Sequence, residues 1–229
     1  MCGRYALHGP QTQLQEYFST QAWPDFPDRY NITPTLLVPV IRQSPEGQRV
    51  AHLLRWGLVP NWSKDPSIGQ KLNNARGETV AEKPSFRDAF TRRRCIVPAS
   101  GFYEWKTEGR HKQPYYIRFK SGEPLAMAGL WESWRDPEGQ IVRTFCVITT
   151  GPNEVMQPIH ERMPVLLRPG DFAAWLDPAV DAAHSLGALI APFAAEGMEA
   201  WPVSRQVSNA REEGPDLIRP LPQETAEEG

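Results

Sequence analysis

Twenty-three prolines and seventeen glycines punctuate this chain of 229 residues. Proline removes a backbone donor, and glycine weakens helix and strand interiors alike. Long helices do not survive such punctuation, so short elements and many turns are expected. QTQLQEYFST sets Leu14, Tyr17 and Phe18 at helical spacing and predicts a first amphipathic helix. TLLVPVIR and RVAHLLRW read as strands. SFRDAFTRRR places Phe86, Ala89 and Phe90 on one helical face, with Ser85 as its N-cap. CIVP, GFYEWK, PYYIRF, LAMAGLWE and TFCVITT read as strands separated by turns. RPGDFAAWL and DAAHSLGALIAPF read as helices, and MEAWPVS as a last strand.

The strands are spaced too irregularly for βαβ repeats, and no internal repeat or linker is visible. The expected fold class is α+β: a single domain with a curled, mostly antiparallel, barrel-like β-sheet and flanking short helices. Its expected span is residues 1–220, followed by an acidic disordered tail over 221–229 (PQETAEEG lacks apolar anchors). At 40% hydrophobic, the composition suits a packed core. No apolar run approaches the roughly 20 residues that span a bilayer, and no signal pattern opens the chain. A cytoplasmic, nucleoid-associated protein without a membrane partner is the reading. Residues 1–110 hold 15 Lys and Arg against 10 Asp and Glu, and the remainder 10 against 17. A polyanion would therefore meet surfaces built from the first half.

The three cysteines, Cys2, Cys95 and Cys146, form neither a disulfide framework nor a zinc motif. Cys95 and Cys146 lie in apolar strands and are expected to be inert core thiols. Cys2 differs. Once Met1 is removed, Cys2 carries a free α-amine and a thiol on adjacent carbons. An α-amine has a pKa of about 7.7–8.0 against about 10.4 for lysine, so a useful fraction is nucleophilic at neutral pH. It attacks an aldehyde to give an imine, and the thiol then closes a thiazolidine ring. No internal cysteine can do this. The alternative is a chance cysteine in a frayed terminus, although CGRY is too small and polar to be simply buried.

Three further stretches gather polar residues. LNNARGETV holds Asn74, Arg76 and Glu78; Asn74 caps a turn or serves a site, and Arg76 and Glu78 form a surface ion pair or act apart. In SGFYEWK, alternation puts Phe102, Glu104 and Lys106 on one strand face and Tyr103 and Trp105 on the other. Glu104 is then either solvated or, facing inward, a carboxyl tuned for acid–base work. PIHERMP holds His160 and Arg162. The run Arg92, Arg93, Arg94 is either an anion track or a solvated charge run.

Taken in order, MCGRY, YNITP, WGLVPNW, NARGET, GFYEW, HERMP and WPVS resemble the SRAP (SOS-response-associated peptidase) family, over nearly the whole chain. The resemblance implies recognition of abasic sites in single-stranded DNA and covalent capture of their aldehyde. It implies catalytic roles for four residues. Cys2 is the nucleophile, Glu104 moves protons in ring opening and reversal, His160 assists Schiff-base chemistry, and Asn74 positions the sugar or the amine. Arg4, Arg76 and Arg162 match phosphate-contacting arginines, Trp62 and Pro34 match positions beside the flanking bases, and Thr149 touches the backbone. Ser63 stands where some relatives carry a second aromatic. The resemblance also implies autoproteolytic removal of Met1, action as a monomer, and no metal or cofactor. It identifies no partner at the replication fork. A thiol peptidase and a non-covalent reader of modified DNA are the alternative functions.

Overall fold

The computed structural model describes residues 2–222. In chain order its elements begin with β1 (Tyr5–Leu7), α1 (Gln11–Phe18), β2 (Arg29–Ile32), β3 (Leu37–Gln43), β4 (Arg49–Trp56) and β5 (Asn74–Arg76). Then come α2 (Arg87–Arg92), β6 (Arg94–Ala99), β7 (Gly101–Glu108), β8 (His111–Phe119), β9 (Leu125–Arg135) and β10 (Ile141–Thr150). β11 (Met163–Pro164), α3 (Phe172–Leu176), α4 (Ala182–Ser185) and β12 (Met198–Pro202) complete the set. The longest helix has eight residues, as the proline and glycine content demands. Among the described residues no helix is long and apolar enough to cross a membrane. Of the acidic tail expected over 221–229, residues 223–229 lie outside the described residues, while the Leu221 amide donates to the Pro202 carbonyl at 2.9 Å.

Two sheets carry the fold. The first runs β12–β8–β7–β1–β2, antiparallel throughout. In the second, β10, β4, β3, β6 and β9 follow one another, and β9 pairs back onto β10, which closes a ring. Among the described residues, only β10 with β4 and β10 with β5 are parallel. The expected curled, mostly antiparallel barrel is thus the fold. The main core is rich in wholly buried aliphatic and aromatic side chains and includes Cys95 and Cys146, each 0% exposed. A second, smaller cluster of Ala6, Tyr103, Tyr116, Val203, Val207 and Leu217 covers the other face of the first sheet. The first half of β7, through Glu104, is therefore buried on both faces, with Phe102 and Glu104 turned to one interior and Tyr103 to the other.

Several local expectations are corrected. Ser85 caps nothing: α2 starts two residues later, after Phe86, with no side-chain cap. The second late helix stops at Ser185 and is followed only by a short turn over Gly187–Leu189. Its start is firm because the Asp181 carboxylate accepts from the Ala183 and His184 amides. The arginine run is neither a track nor a solvated face. Arg94 is 2% exposed. Its guanidinium donates to the carbonyls of Phe90 and Thr91 at 2.7 Å each, Trp175 at 2.6 Å, Val180 at 3.3 Å, and Asp177. These include the orphan carbonyls at the C-terminal ends of α2 and α3, where a cation also meets the negative end of each helix dipole. Arg93 pairs with Glu132 at 2.7 Å, and only Arg92 of the three is exposed.

Candidate active site

The N-terminal segment enters the first sheet as an interior strand. β1 pairs with β7 in the register Tyr5↔Phe102 and Ala6↔Gly101, and the Tyr103 amide donates to the Arg4 carbonyl at 2.9 Å. Followed backward, that register carries Gly3 and Cys2 past Glu104. A side chain at position 101 is excluded, because a Cβ there would lie 2.3 Å from the Tyr116 ring. Cys2 is 0% exposed, which overturns the expectation that CGRY is too small and polar to be buried. The reason is size and place: the small thiol fits among core side chains just ahead of the paired strand β1.

Burial, and then the neighbouring Glu104 carboxylate, push the Cys2 thiol far above its ordinary value. Glu104 faces inward, 2% exposed, so the inward alternative holds. Burial pushes its carboxyl above the usual carboxylate range, and His160 works against that rise. His160 Nε2 lies 3.8 Å from Glu104 Oε2. The imidazole also opens onto a groove of about 480 Å³ lined by Trp105, Lys106, Pro158 and Ile159 among others.

Asn74 and Arg76 reach the same region along β5, which runs parallel to β10 in the register Val147↔Asn74 and Thr149↔Arg76. Alternation buries Ala75 between them and leaves Arg76 exposed. Asn74 is half-buried, and its Oδ1 has no hydrogen-bond partner among the described residues. Thr149 is buried and pairs on its other side with Pro164 of β11. Arg162, 9% exposed, donates to Glu78 Oε1 at 2.5 Å and Oε2 at 2.9 Å, and to the Thr149 carbonyl at 2.7 Å. The ion pair of Glu78 is therefore with Arg162, 84 residues away, and not with Arg76 as the local sequence suggests.

Arg4 is braced away from this cluster. Its Nη1 donates to Asn31 Oδ1 at 2.8 Å and to the Val207 carbonyl at 2.5 Å, and its guanidinium lies 5.8 Å from the Trp105 ring centre. Pro34 and Trp62 belong to two other loops. Trp62 is 55% exposed, while the next residue, Ser63, is anchored by a 2.7 Å hydrogen bond from Trp134 Nε1 to its carbonyl. That loop follows Gly57, where a Cβ would meet the Gly69 carbonyl at 2.6 Å and φ is +123°. The fold thus gathers Cys2, Glu104 and His160 in one place, with Asn74, Arg76, Thr149 and Arg162 beside them on β5, β10 and the turn before β11. Glu78 joins them without having been singled out beyond its motif. Among the described residues no group of three His, Cys, Asp or Glu is placed to hold a metal ion.

A family model described as SOS response associated peptidase (SRAP) matches residues 1–210. The abasic site processing protein YoqW of Bacillus subtilis is 40% identical, over 95% of this chain and 99% of that one. The abasic site processing protein HMCES of Xenopus tropicalis is 34% identical, over 95% of this chain and 78% of its own length. A crystal structure of a protein from Bacteroides thetaiotaomicron superposes with a TM-score of 0.86 at 28% identity, covering 96% of this chain and all of that one.

Proposed function

Since the chain belongs to the SOS response associated peptidase family, we propose that it captures abasic sites in single-stranded DNA through a thiazolidine formed by Cys2. Two relatives above are named abasic site processing proteins. An abasic deoxyribose opens to an aldehyde, the electrophile that an N-terminal cysteine is fitted to trap. The observation that carries the reading is the buried run of Cys2 alongside Glu104, with His160 3.8 Å from that carboxyl.

Removal of Met1 first frees the Cys2 α-amine. The amine nitrogen attacks the aldehyde carbon, and the carbinolamine loses water to leave an imine. The thiol sulfur then adds to the imine carbon while its proton passes to the nitrogen, which closes the ring. Aldehyde plus aminothiol gives thiazolidine plus water, with no change of oxidation state. Glu104, held above the usual carboxylate range by burial, is matched to these transfers: it takes the thiol proton and returns one to a leaving oxygen or nitrogen. His160 acts with it, and Asn74 Oδ1 is an acceptor suited to the amine or a sugar hydroxyl. Trp62 and Pro34 flank the lesion on the base side, and Arg76, which no carboxylate pairs with among the described residues, meets phosphate. Arg4, Arg162 and Thr149 contribute from braced positions.

A thiol peptidase needs no free α-amine, so that reading leaves the place of Cys2 directly behind Met1 unexplained. Thiazolidine capture requires it.

The test is a denaturing gel of the purified protein with uracil-containing single-stranded DNA pretreated with uracil glycosylase. A heat-stable shifted band is expected with wild type, absent in Cys2→Ala and in protein that retains Met1. No covalent band from wild type lacking Met1 sinks the proposal. Salt-sensitive binding that survives Cys2→Ala and ignores the lesion supports a non-covalent reader instead.

A further inference from the structure

We propose that Glu78, which carries no role in the chemistry above, is the positioning residue that sets the orientation and tautomer of His160 by way of Arg162. The kinetic part of this rests on the proposed function; the structural part rests on geometry alone. Both carboxylate oxygens of Glu78 receive the Arg162 fork, at 2.5 and 2.9 Å. The same guanidinium donates to the Thr149 carbonyl at 2.7 Å and to its Oγ1 at 3.2 Å. Arg162 is thereby pinned between the Gly77–Thr79 turn and the end of β10. Its backbone amide donates to His160 Nδ1 at 3.0 Å. The Arg162 carbonyl is also 3.3 Å from Nδ1, but that pairing would require a proton on Nδ1, and the shorter contact excludes it in the neutral ring. The ring proton is therefore on Nε2, the nitrogen 3.8 Å from Glu104 Oε2.

Two further facts single out Glu78. Its side chain is 54% exposed, so the fold gains little apolar burial from it, whereas the Arg162 side chain is only 10% exposed. Removing Glu78 leaves a nearly buried guanidinium without its only carboxylate partner among the described residues, and such a charge moves toward water. A shift of the Arg162 side chain drags a backbone amide two residues from His160. A small displacement of an orienting partner is enough to slow a positioned reaction steeply.

The experiment compares wild type, Glu78→Gln and Glu78→Asp in the full chain. Nitrogen-15 NMR of the His160 ring at about pH 8 reads the tautomer without DNA. Wild type is expected to hold a single Nε2–H form, Glu78→Gln a mixture, and Glu78→Asp, which keeps the charge, a return toward wild type. Cross-linking rates and affinities for intact single-stranded DNA are then measured at one salt concentration. In Glu78→Gln the rate is expected to fall roughly tenfold or more. Affinity for intact DNA should hold or rise, since a negative charge beside the phosphate track is lost. Opposite signs mark a positioning role, because damage to the fold lowers both. The proposal is overturned by an unchanged tautomer in Glu78→Gln, by rate and affinity falling together, or by equal losses in the Gln and Asp variants. If wild type forms no cross-link, the functional reading fails and the tautomer measurement still decides this proposal.

Discussion

Replacing Arg94 by lysine tests whether a cation buried among carbonyls acts through its charge or its shape. The five carbonyls of Phe90, Thr91, Trp175, Asp177 and Val180 receive hydrogen bonds from one guanidinium. An ammonium has three donors, so lysine leaves at least two of the five without a partner. Each buried carbonyl so stranded costs about 1–3 kcal/mol, a loss of roughly 2–6 kcal/mol in all. For a domain of this size that is roughly 5–20 °C in Tm. Net charge is unchanged, so long-range attraction to DNA stays as it was. The assay is thermal unfolding by circular dichroism beside Arg92→Lys, whose parent side chain is exposed and which should melt like wild type. A Tm for Arg94→Lys within about 2 °C of wild type would refute the carbonyl-cage reasoning, since the expected loss is well above that.

Cys2→Ser keeps the α-amine and loses the thiol. It should give an imine with abasic DNA that borohydride traps, but no heat-stable product without reduction. Glu104→Gln should slow cross-linking while raising stability near neutral pH. The folded pKa of Glu104 lies above its unfolded value, so the folded state holds the proton more tightly. Wild type is most favoured below the unfolded pKa, about 4.3, and loses stability to the Gln variant as pH rises through the folded value, by about 1.4 kcal/mol per pKa unit of difference. Urea midpoints at a series of pH values measure it, and a gap that narrows with rising pH contradicts it. Trp62→Ala should leave Tm unchanged, because the ring is 55% exposed. If a base stacks there, affinity for single-stranded DNA should drop by about 1–3 kcal/mol, roughly 5- to 150-fold in Kd, read by fluorescence anisotropy.

What the sequence made legible follows physical range. The helix around Leu14 and Phe18 and the β-strands show in local periodicity, because a half-buried element writes its own face into its spacing. The inward turn of Glu104 was open between two readings, since alternation gives faces but does not say which is covered. Both faces are covered, the outer one by Val203, Val207 and Leu217 of the segment after β12. The partners of Glu78, Arg94 and Arg4 were not readable. Their contacts span 84, up to 86 and 203 residues of sequence. Charge runs of the same composition pave solvated surfaces and fill carbonyl cages, and only the closed barrel tells them apart. Cys2 escapes local reading for a related reason: a terminal segment owes its burial to neighbours that lie far along the chain, Glu104 among them.

The position of β1 between β2 and β7 has a consequence in time. β1 finds its second flank only after Phe102 has been made, because Tyr5 pairs with it. At about 5–20 residues per second, the opening segment waits roughly 5–20 s as a loose thread. Once β7 has zipped alongside, Cys2 is enclosed in the interior. On the proposed reading, the order of synthesis sets when Cys2 is enclosed.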